Sequence, residues 1–270
     1  MKAVEHKIRK LRANVRAYGS AVVAFSGGAD STLVAKMAHD ELGKKALAVT
    51  ISSPLYPASE LRQARDVAKR IGIEHLVVSV NPLADRVFVS NPLDRCYQCK
   101  FDDFSQLRKA AKSRGLKEIL DGSNAEDLAD YRPGLRAKEE LHVRSPLAEL
   151  GLTKLDVREI SRSLRLPTAK KSSSPCLASR IPYGEIITLE KLGMIEEAED
   201  FLKAKGFEDV RVRMHGNTAR VEVSPKDIPR LASAGTRTAV SKRLRALGFA
   251  YVTLDLEGYR TGSLNEVIPR

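Results

Sequence analysis

The sequence predicts an α/β protein in which a parallel sheet covered on both faces is followed by a smaller α+β domain. Short apolar segments alternate with segments of helical period as far as about residue 165. The first apolar segment, residues 21–25, is uninterrupted, as is typical of a strand buried on both faces. The pattern changes across residues 170–182, where Lys, Ser and Pro cluster. We therefore expect two domains, residues 1–182 and 183–270.

The elements of the first domain follow from its periodicity. Residues 1–20 resemble an amphipathic helix, and helices are expected over residues 60–70, over 100–114 and after Thr153, a favourable N-cap. Strands are expected at residues 21–25, 45–51, 75–80 and 118–120, with 142–144 as a fifth. Parallel sheets bind ligands beyond the carboxyl ends of their strands. We therefore expect the polar loops 26–31, 50–54 and 121–127 to form one site.

The second domain combines helices with a hairpin. We expect a helix over residues 188–205, strands at 210–214 and 219–223 around a turn, mostly helix over 226–247, and a last strand at 251–256. Strand alternation places Arg211 and Arg213 on one face together with Glu222. This face is either a binding site for a substrate phosphate or an ordinary solvated surface.

Composition limits the classes of partner. The 270 residues carry a formal net charge of +12, which favours nucleotides, RNA or a polyphosphate as partners. The absence of Trp and an aromatic content of 5% leave few stacking platforms and argue against nucleic acid. No apolar run approaches the ~20 residues of a membrane helix, and residues 1–20 lack the apolar core of an export signal. We therefore expect a cytoplasmic protein with no membrane partner.

A glycine-rich loop links the first strand to a helix. Residues 26–31 read Ser-Gly-Gly-Ala-Asp-Ser, so two glycines let an anion approach the backbone at a helix N-terminus. No Lys follows these glycines, which excludes a Walker-type loop. The order of polar residues resembles the pyrophosphate loop of the ATP pyrophosphatase superfamily, which splits ATP into AMP and pyrophosphate. A plain strand-to-helix turn would not need Ser26, Asp30 and Ser31.

Two further loops complete the predicted nucleotide site. Thr50 and Ser52 close the second strand and are candidates for adenine or ribose contacts, although an ordinary loop is an equal alternative. Residues 121–127 combine Gly122 for a tight exit with Ser123 and Asn124 for hydrogen bonds. Asp127 is a candidate ligand of a Mg²⁺ ion that bridges phosphates. The alternative for Asn124 is a helix cap.

The three cysteines leave several types of chemistry open. Cys96 and Cys99 form a C-x-x-C pair, and Cys176 stands far from them in a polar segment. An odd count without an export signal argues against disulfides. The pair alone fits a zinc half-site or a redox pair, and three thiolates fit an iron–sulfur cube with one open iron. Cys176 alone would also fit a small buried residue.

Taken in order, these motifs resemble the LarE family of sulfur transferases over essentially the full length. The resemblance rests on loop 26–31, on Asp-Gly-Ser-Asn at 121–124, on Pro-Cys-Leu-Ala-Ser-Arg at 175–180, on the small C-terminal domain and on the helix with Lys154, Asp156 and Arg158. It implies an ATP pyrophosphatase fold of the adenine nucleotide alpha hydrolase-like type. It also implies adenylylation of a carboxylate of pyridinium-3,5-biscarboxylic acid mononucleotide, release of pyrophosphate and insertion of sulfur. The product is the thiocarboxylate precursor of the nickel-pincer nucleotide of lactate racemase.

The resemblance also implies the source of the sulfur and the roles of residues. In the one-cysteine branch the cysteine matching Cys176 gives up its sulfur, whereas this chain looks like the three-cysteine branch with a 4Fe–4S cluster. The implied cofactors are ATP, Mg²⁺ and this cluster, and the implied partners are a nucleotide substrate, a sulfide or persulfide donor and further copies of the chain. The nucleotide would contact Ser26, Gly27, Gly28, Asp30, Ser31, Thr50, Ser52, Gly122, Ser123, Asn124 and Asp127. Catalysis would involve Cys176, Asp30, Lys100 and Arg180. The cluster would be bound by Cys96, Cys99 and Cys176. The substrate phosphate would be bound by Arg211, Arg213 and Glu222.

Three other functions remain open at this stage. A tRNA thiolase of the same superfamily fits the basic charge and the cysteines, although no separate RNA-binding domain is visible. An amidating ligase of the NAD or GMP synthetase type fits the loops but does not need three cysteines. A nucleotide-dependent RNA-binding module without enzymatic activity is the third.

Overall fold

A computed structural model of the chain describes residues 2–128, 134–171, 174–260 and 262. Its contacts divide the chain into two compact units. The first unit comprises Met1–Asn81 with Asp94–Ser174, and the second comprises Pro82–Leu93 with Pro175–Arg270. The boundary between these units lies after residue 174, earlier than residue 182. The second unit also includes a segment from the N-terminal half, Pro82–Leu93. The two domains at 1–182 and 183–270 remain a prediction.

The helices and strands alternate in the N-terminal part of the chain. The helices are α1 (Lys2–Ala17), α2 (Ala29–Leu42), α3 (Ala58–Ile71), α4 (Arg86–Val89), α5 (Arg95–Ser113), α6 (Gly134–Glu140), α7 (Pro146–Glu149), α8 (Lys154–Ser163), α9 (Leu189–Ala204), α10 (Ile228–Ala232) and α11 (Ala234–Ala246). The strands are β1 (Ala21–Ala24), β2 (Ala46–Ser52), β3 (Glu74–Ser79), β4 (Glu118–Leu120), β5 (Val210–His215), β6 (Thr218–Val223) and β7 (Tyr251–Leu254). None of these helices is long and apolar enough to cross a bilayer.

The first unit is built on a parallel sheet with the strand order β3-β2-β1-β4. Ala21 pairs with Ala46 on one side and with Glu118 on the other, so β1 is a central strand. This arrangement confirms the predicted α/β class. The fifth strand predicted at 142–144 is wrong, because only an isolated bridge joins Leu120 to Arg144. His142 has a φ of 48°, a left-handed conformation that an extended strand does not allow.

Both faces of this sheet are buried, which explains the continuous apolar segment at its centre. Ala21 and Val23 belong to the core formed with α1, α2, α3 and α8. Val22, between them, belongs to the core on the opposite face, where Phe104 and Leu107 of α5 pack. Successive side chains of a strand point to opposite faces, so each residue of β1 needs an apolar side chain.

The helix predicted after Thr153 begins with a capping box. The Thr153 hydroxyl accepts a hydrogen bond from the Asp156 amide, and the Asp156 carboxylate accepts one from the Thr153 amide. This arrangement satisfies two backbone donors at the start of α8.

The second unit contains a three-stranded sheet in the order β5-β6-β7. The predicted hairpin is present: β5 and β6 are antiparallel, and His215 pairs with Thr218 across the turn. β7 adds to β6 in parallel. Helix α9 packs on β5, so this sheet has an apolar face like the first.

Candidate functional site

The glycine-rich loop is held in shape by its own serines. The hydroxyls of Ser26 and Ser31 lie 3.0 Å apart, and the Gly28 amide donates to the Ser26 hydroxyl over 3.3 Å. Gly27 has a φ of 67°, and a Cβ there would come within 2.9 Å of the Ala64 backbone. No other residue fits that position, so the loop packs against α3 through bare backbone.

Helix α2 begins in this loop without a cap. Gly28 stands at the N-cap position and supplies no side-chain hydrogen bond to the first turn. The first amides of a helix have no partner within the helix, and their partial positive charge favours an anion. The residues present therefore fit a pyrophosphate group at the start of α2.

The loop after β4 lies directly against this loop. A Cβ on Gly122 would come within 2.7 Å of the Ser31 amide nitrogen, so the two backbones are in close contact. Asp121 is buried behind the contact and accepts hydrogen bonds from the hydroxyls of Ser123 and Ser145. The ammonium group of Lys138 lies 2.9 Å from both the Asp121 carboxylate and the Ser123 hydroxyl. This buried network fixes the backbone that faces loop 26–31.

Two carboxylates lie close enough to influence each other at this junction. Burial, and next the negative charge of Asp127, raises the pKa of Asp30, while Lys154 and Asn124 partly offset the rise. The Asp127 carboxylate also accepts a hydrogen bond from the Asn124 amide. Two carboxylates beside a phosphate cradle are a fitting donor set for Mg²⁺, whose charge would relieve their repulsion.

Asn124 serves two purposes. Its side-chain oxygen accepts a hydrogen bond from the Glu126 amide, so the predicted cap is present at the start of the short 3-10 helix Ala125–Leu128. Its Nδ2 group is buried beside Asp30 and makes no well-aligned hydrogen bond to the residues that the structure describes. That donor fits an acceptor on a bound nucleotide.

A lysine reaches the loop from a distant part of the chain. The ammonium group of Lys171 donates to the Gly27 carbonyl over 3.2 Å and lies 2.7 Å from the Glu60 carboxylate. Sequence reasoning missed this residue because it looked for a lysine directly after the glycines. Its position in the polar segment 170–175 was the available signal.

The end of β2 lies beside the same loop, but the Thr50 hydroxyl has protein partners. It donates to the Phe25 carbonyl over 2.6 Å, and the His75 Nε2 lies 2.8 Å from it. Burial lowers the pKa of His75, and the charge of Arg65 lowers it further. Ser52 is the last residue of β2, and its carbonyl accepts from the Val80 amide. The predicted nucleotide contacts of Thr50 and Ser52 remain a prediction.

Cys96 and Cys99 lie in the first two turns of α5, both half-buried and without a disulfide. Their spacing puts the two thiols on one face of the helix. On the next turn Lys100 pairs with Asp103 at 3.5 Å. Within the described ranges, no three His, Cys, Asp or Glu side chains are grouped closely enough to hold a metal ion.

In the second unit, Cys176 precedes the 3-10 helix Leu177–Arg180 and is half-buried, so it is not the buried small residue considered above. Arg180 is 1% exposed and holds this segment. One guanidinium nitrogen donates to the carbonyls of Pro175 and Cys176, at 2.8 and 3.0 Å. Two others bind both carboxylate oxygens of Glu199.

Glu199 therefore orients the arginine that shapes the cysteine segment. Burial alone would raise the pKa of Glu199, but the hydrogen bonds and charge of Arg180 outweigh it and hold the pKa below its ordinary value. The carboxylate also accepts a hydrogen bond from the Val212 amide. Sequence reasoning missed Glu199 because its helical position resembles any charged residue on a surface.

The arginine face of the hairpin is buried, so the solvated surface considered above is wrong. Arg211 is 7% exposed, Arg213 is 5% exposed and Glu222 is fully buried. Arg213 makes two hydrogen bonds to Glu222 and one to the Ser179 carbonyl. Burial, and next the charge of Arg180, lowers the pKa of Arg211, whose guanidinium lies 4.9 Å from the Tyr259 ring. An excess of buried positive charge is a favourable environment for a phosphate.

Comparison with known proteins agrees with this geometry. A sequence profile of the NAD synthase family matches residues 2–114, the part that carries loop 26–31. An uncharacterized protein of Synechocystis is 44% identical over 99% of this chain and 100% of its own length. An uncharacterized protein of Methanocaldococcus jannaschii is 31% identical over 89% of this chain and 90% of its own.

A third relative has a named activity. The pyridinium-3,5-bisthiocarboxylic acid mononucleotide synthase of Lactiplantibacillus plantarum is 38% identical, over 92% of this chain and 90% of its own length. The order of the motifs, the loop geometry and this similarity over nearly the whole length lead to one conclusion: the chain belongs to the LarE family of ATP-dependent sulfur transferases, within the PP-loop ATP pyrophosphatases.

Proposed function

We propose that the protein uses ATP to adenylylate a carboxylate of pyridinium-3,5-biscarboxylic acid mononucleotide and then replaces AMP with sulfur. The reaction releases pyrophosphate and gives a thiocarboxylate, a step towards the nickel-pincer nucleotide. The observation that carries this proposal is the uncapped start of α2 in loop 26–31, with Asp30 and Asp127 beside it. The printed name of the Lactiplantibacillus relative supports the choice of substrate.

The first step needs an electrophile, because a carboxylate resists attack by sulfur. Transfer of AMP to the carboxylate supplies a leaving group. We propose that the amides at the start of α2 hold the pyrophosphate as it departs, and that Asp30 and Asp127 hold Mg²⁺ against its charge. Lys171, with its ammonium group at the Gly27 carbonyl, supplies positive charge to the same place.

The substrate phosphate is proposed to bind the buried arginines of the hairpin. Arg211 and Arg213 supply the positive charge, and Glu222 holds the Arg213 guanidinium in a fixed orientation through two hydrogen bonds of 3.0 Å. Lys100 and Arg180 are proposed to offset charge near the acyl group.

We propose Cys96, Cys99 and Cys176 as the residues that carry the sulfur chemistry. None of the three is in a disulfide and all are half-buried, which fits the partial exposure of reactive cysteines. Together they would hold a 4Fe–4S cluster, which when bound would carry sulfide received from a sulfide donor, or from a persulfide donor together with a two-electron reductant. Arg180 fixes the backbone of Cys176 through two carbonyls, so the thiol is presented from a rigid segment. We also expect a cytoplasmic assembly of several copies.

An anaerobic assay tests the proposed reaction. The purified protein is incubated with ATP, Mg²⁺, sulfide and pyridinium-3,5-biscarboxylic acid mononucleotide, and AMP and product mass are followed. We expect AMP and a thiocarboxylate in equal amounts, and neither from Asp30→Ala. AMP formation that does not depend on the carboxylate would overturn the choice of substrate.

The sulfur source is tested separately by mass spectrometry and visible absorption. Anaerobic reconstitution should give a brown, oxygen-sensitive protein whose Cys176 keeps its mass after turnover. Loss of one H₂S from Cys176 would instead show that the cysteine is consumed. Stoichiometric zinc without visible absorption would rule out the cluster.

A further inference from the structure

A second concave site lies in the first unit, at the far ends of the helices that surround loop 26–31. It is a cavity of about 330 Å³, within the range of small-molecule sites. Its wall includes Lys36, two turns into α2, and Arg70 at the end of α3. Arg70 lies six residues beyond Ala64, the residue of α3 that packs against Gly27, or about 9 Å farther along the helix, and no residue of the cavity wall belongs to loop 26–31. The cavity is therefore separate from the proposed ATP site.

Three cations from three elements line this cavity. Lys36, Arg70 and Arg165 contribute the charge, and Arg165 follows the end of α8. Lys36 is paired with Asp40 at 2.7 Å. Arg70 and Arg165 are exposed and have no carboxylate partner among the residues that the structure describes. The remaining wall is apolar and consists of Ile71, Leu164, Leu166 and Pro167.

The backbone conformation of Arg165 is more informative than its charge. The Leu166 amide donates to the Ser161 carbonyl, and the Arg165 amide donates to the Arg162 carbonyl. This is the Schellman pattern, whose central residue is left-handed and is usually glycine. Arg165 has a φ of 54°, whereas the equivalent residue after α3 is Gly72 with a φ of 87°. Arg165 thus occupies a position where the backbone conformation favours glycine.

We propose that this cavity binds a small phosphate monoester with an apolar body. Arg70 and Arg165 would bind the phosphate oxygens through their forked donors, and Lys36 would add a point charge. The apolar body would lie on the wall formed by Leu164, Leu166 and Pro167. The competing explanation is that the arginines only offset the partial negative charge at the ends of α3 and α8.

The two explanations differ in what happens at Arg165. If the arginine only serves the helix end, Arg165→Gly changes no ligand binding. If it serves a ligand, the same substitution relaxes the backbone and removes binding. Phenyl phosphate is a suitable probe because it joins a dianion to an apolar ring, and inorganic phosphate is the comparison without the ring.

The experiment is calorimetric titration and thermal unfolding, with loop 26–31 saturated by a non-hydrolysable ATP analogue. We expect phenyl phosphate to bind the wild type saturably, and at least tenfold more tightly than inorganic phosphate. Arg165→Gly and Arg70→Gln should each weaken phenyl phosphate at least tenfold. Without ligand, Arg165→Gly should unfold at a higher temperature than the wild type.

The matched control is Arg162→Gln, which removes an exposed arginine from the last turn of α8 outside the cavity wall. It should bind phenyl phosphate like the wild type. The proposal is overturned if millimolar phenyl phosphate does not bind the wild type, or if Arg165→Gly and Arg70→Gln bind it unchanged. Either result would assign the arginines to the helix ends alone. Arg165→Gly and Arg70→Gln leave the phosphate site proposed at Arg211 and Arg213 unchanged, so a loss of binding in both variants does not depend on the proposed sulfur transfer.

Discussion

Asp30 is the residue where binding and stability oppose each other. Its carboxylate is mostly buried and lies near Asp127, and both features disfavour its ionised form. An ionised Asp30 therefore costs stability in the protein without bound Mg²⁺. The same charge is what a metal–nucleotide complex would bind, so the site is prepared for its ligand at the expense of the empty fold.

Asp30→Asn should therefore stabilise the protein and inactivate it. Because the folded pKa is raised, the wild type loses stability as pH rises through that pKa, and the variant does not. The two should unfold alike near pH 3, where both side chains are neutral. At pH 7 without Mg²⁺ the variant should have a Tm higher by a few degrees, and its AMP formation should be abolished. Equal Tm values at pH 7 would contradict the electrostatic argument.

Substitution of Lys171 tests whether its positive charge, which comes from the segment 170–175, contributes to the site at loop 26–31. Lys171→Met removes an ammonium group at the Gly27 carbonyl, and we expect kcat/KM for AMP formation to fall tenfold to a hundredfold. That range corresponds to the loss of a charge-assisted hydrogen bond of about 1.5–3 kcal/mol. The control is Lys170→Met, which removes the neighbouring exposed lysine and should change the rate less than about twofold. Equal effects of the two substitutions would remove Lys171 from the site.

The contacts of Lys171 and Glu199 could not be predicted from the sequence, although Lys171 lies in a conspicuous polar segment. Ser26, Gly27 and Asp30 belong to one short motif, so their chemistry is readable from their order. Lys171 lies 144 residues from the carbonyl that it contacts, and Glu199 meets Arg180 only through the packing of α9. A contact made by one long side chain leaves no periodic signal, whereas a strand or helix repeats its signal over many residues.

At the scale of elements, the close contact between two loops shapes the candidate site. Gly122 lets the exit of β4 lie against the first turn of α2, and the Asp121–Lys138 pair supports it from behind. The strands themselves were predictable because burial on both faces demands continuous apolar segments. The failed strand at 142–144 shows the limit, because its first residue, His142, is left-handed and the sequence pattern does not reveal this.

Gly122→Ala tests this contact. The new methyl group would meet backbone rather than a flexible side chain, so the loops must separate. We expect the free energy of unfolding to fall by about 1–3 kcal/mol and AMP formation to fall at least tenfold. Gly193→Ala is the control, since that glycine lies within α9 with open space around its Cα. It should raise the free energy of unfolding by up to about 1 kcal/mol and leave activity unchanged.

At the scale of the whole molecule, two compact units are assembled from interleaved stretches of chain. The segment Pro82–Leu93 joins the C-terminal unit, where the Asn91 side chain donates to the Pro182 carbonyl, 91 residues away. Sequence reasoning assigned this segment to the first domain because nothing in its composition distinguishes it. Hydrogen bonds of Val89 and Asn91 to residues 181–187 hold the segment there, and composition does not reveal such contacts.

The net charge of +12 fits both the proposed function and a tRNA thiolase, and the salt dependence of RNA binding separates them. Such a charge attracts RNA without specificity, and binding through about six phosphates weakens about a thousandfold between 50 and 200 mM salt. We expect tRNA and unrelated duplex DNA to be retained alike at 50 mM salt and released alike at 0.3 M. Neither should change the rate of AMP formation, which should respond only to the small carboxylate substrate. Salt-resistant binding of tRNA with tRNA-dependent AMP formation would make the thiolase the better assignment.

The few aromatic side chains and the burial of Arg211 and Arg213 favour salt-sensitive binding of RNA without an effect on AMP formation, since buried arginines cannot reach the backbone of a folded RNA.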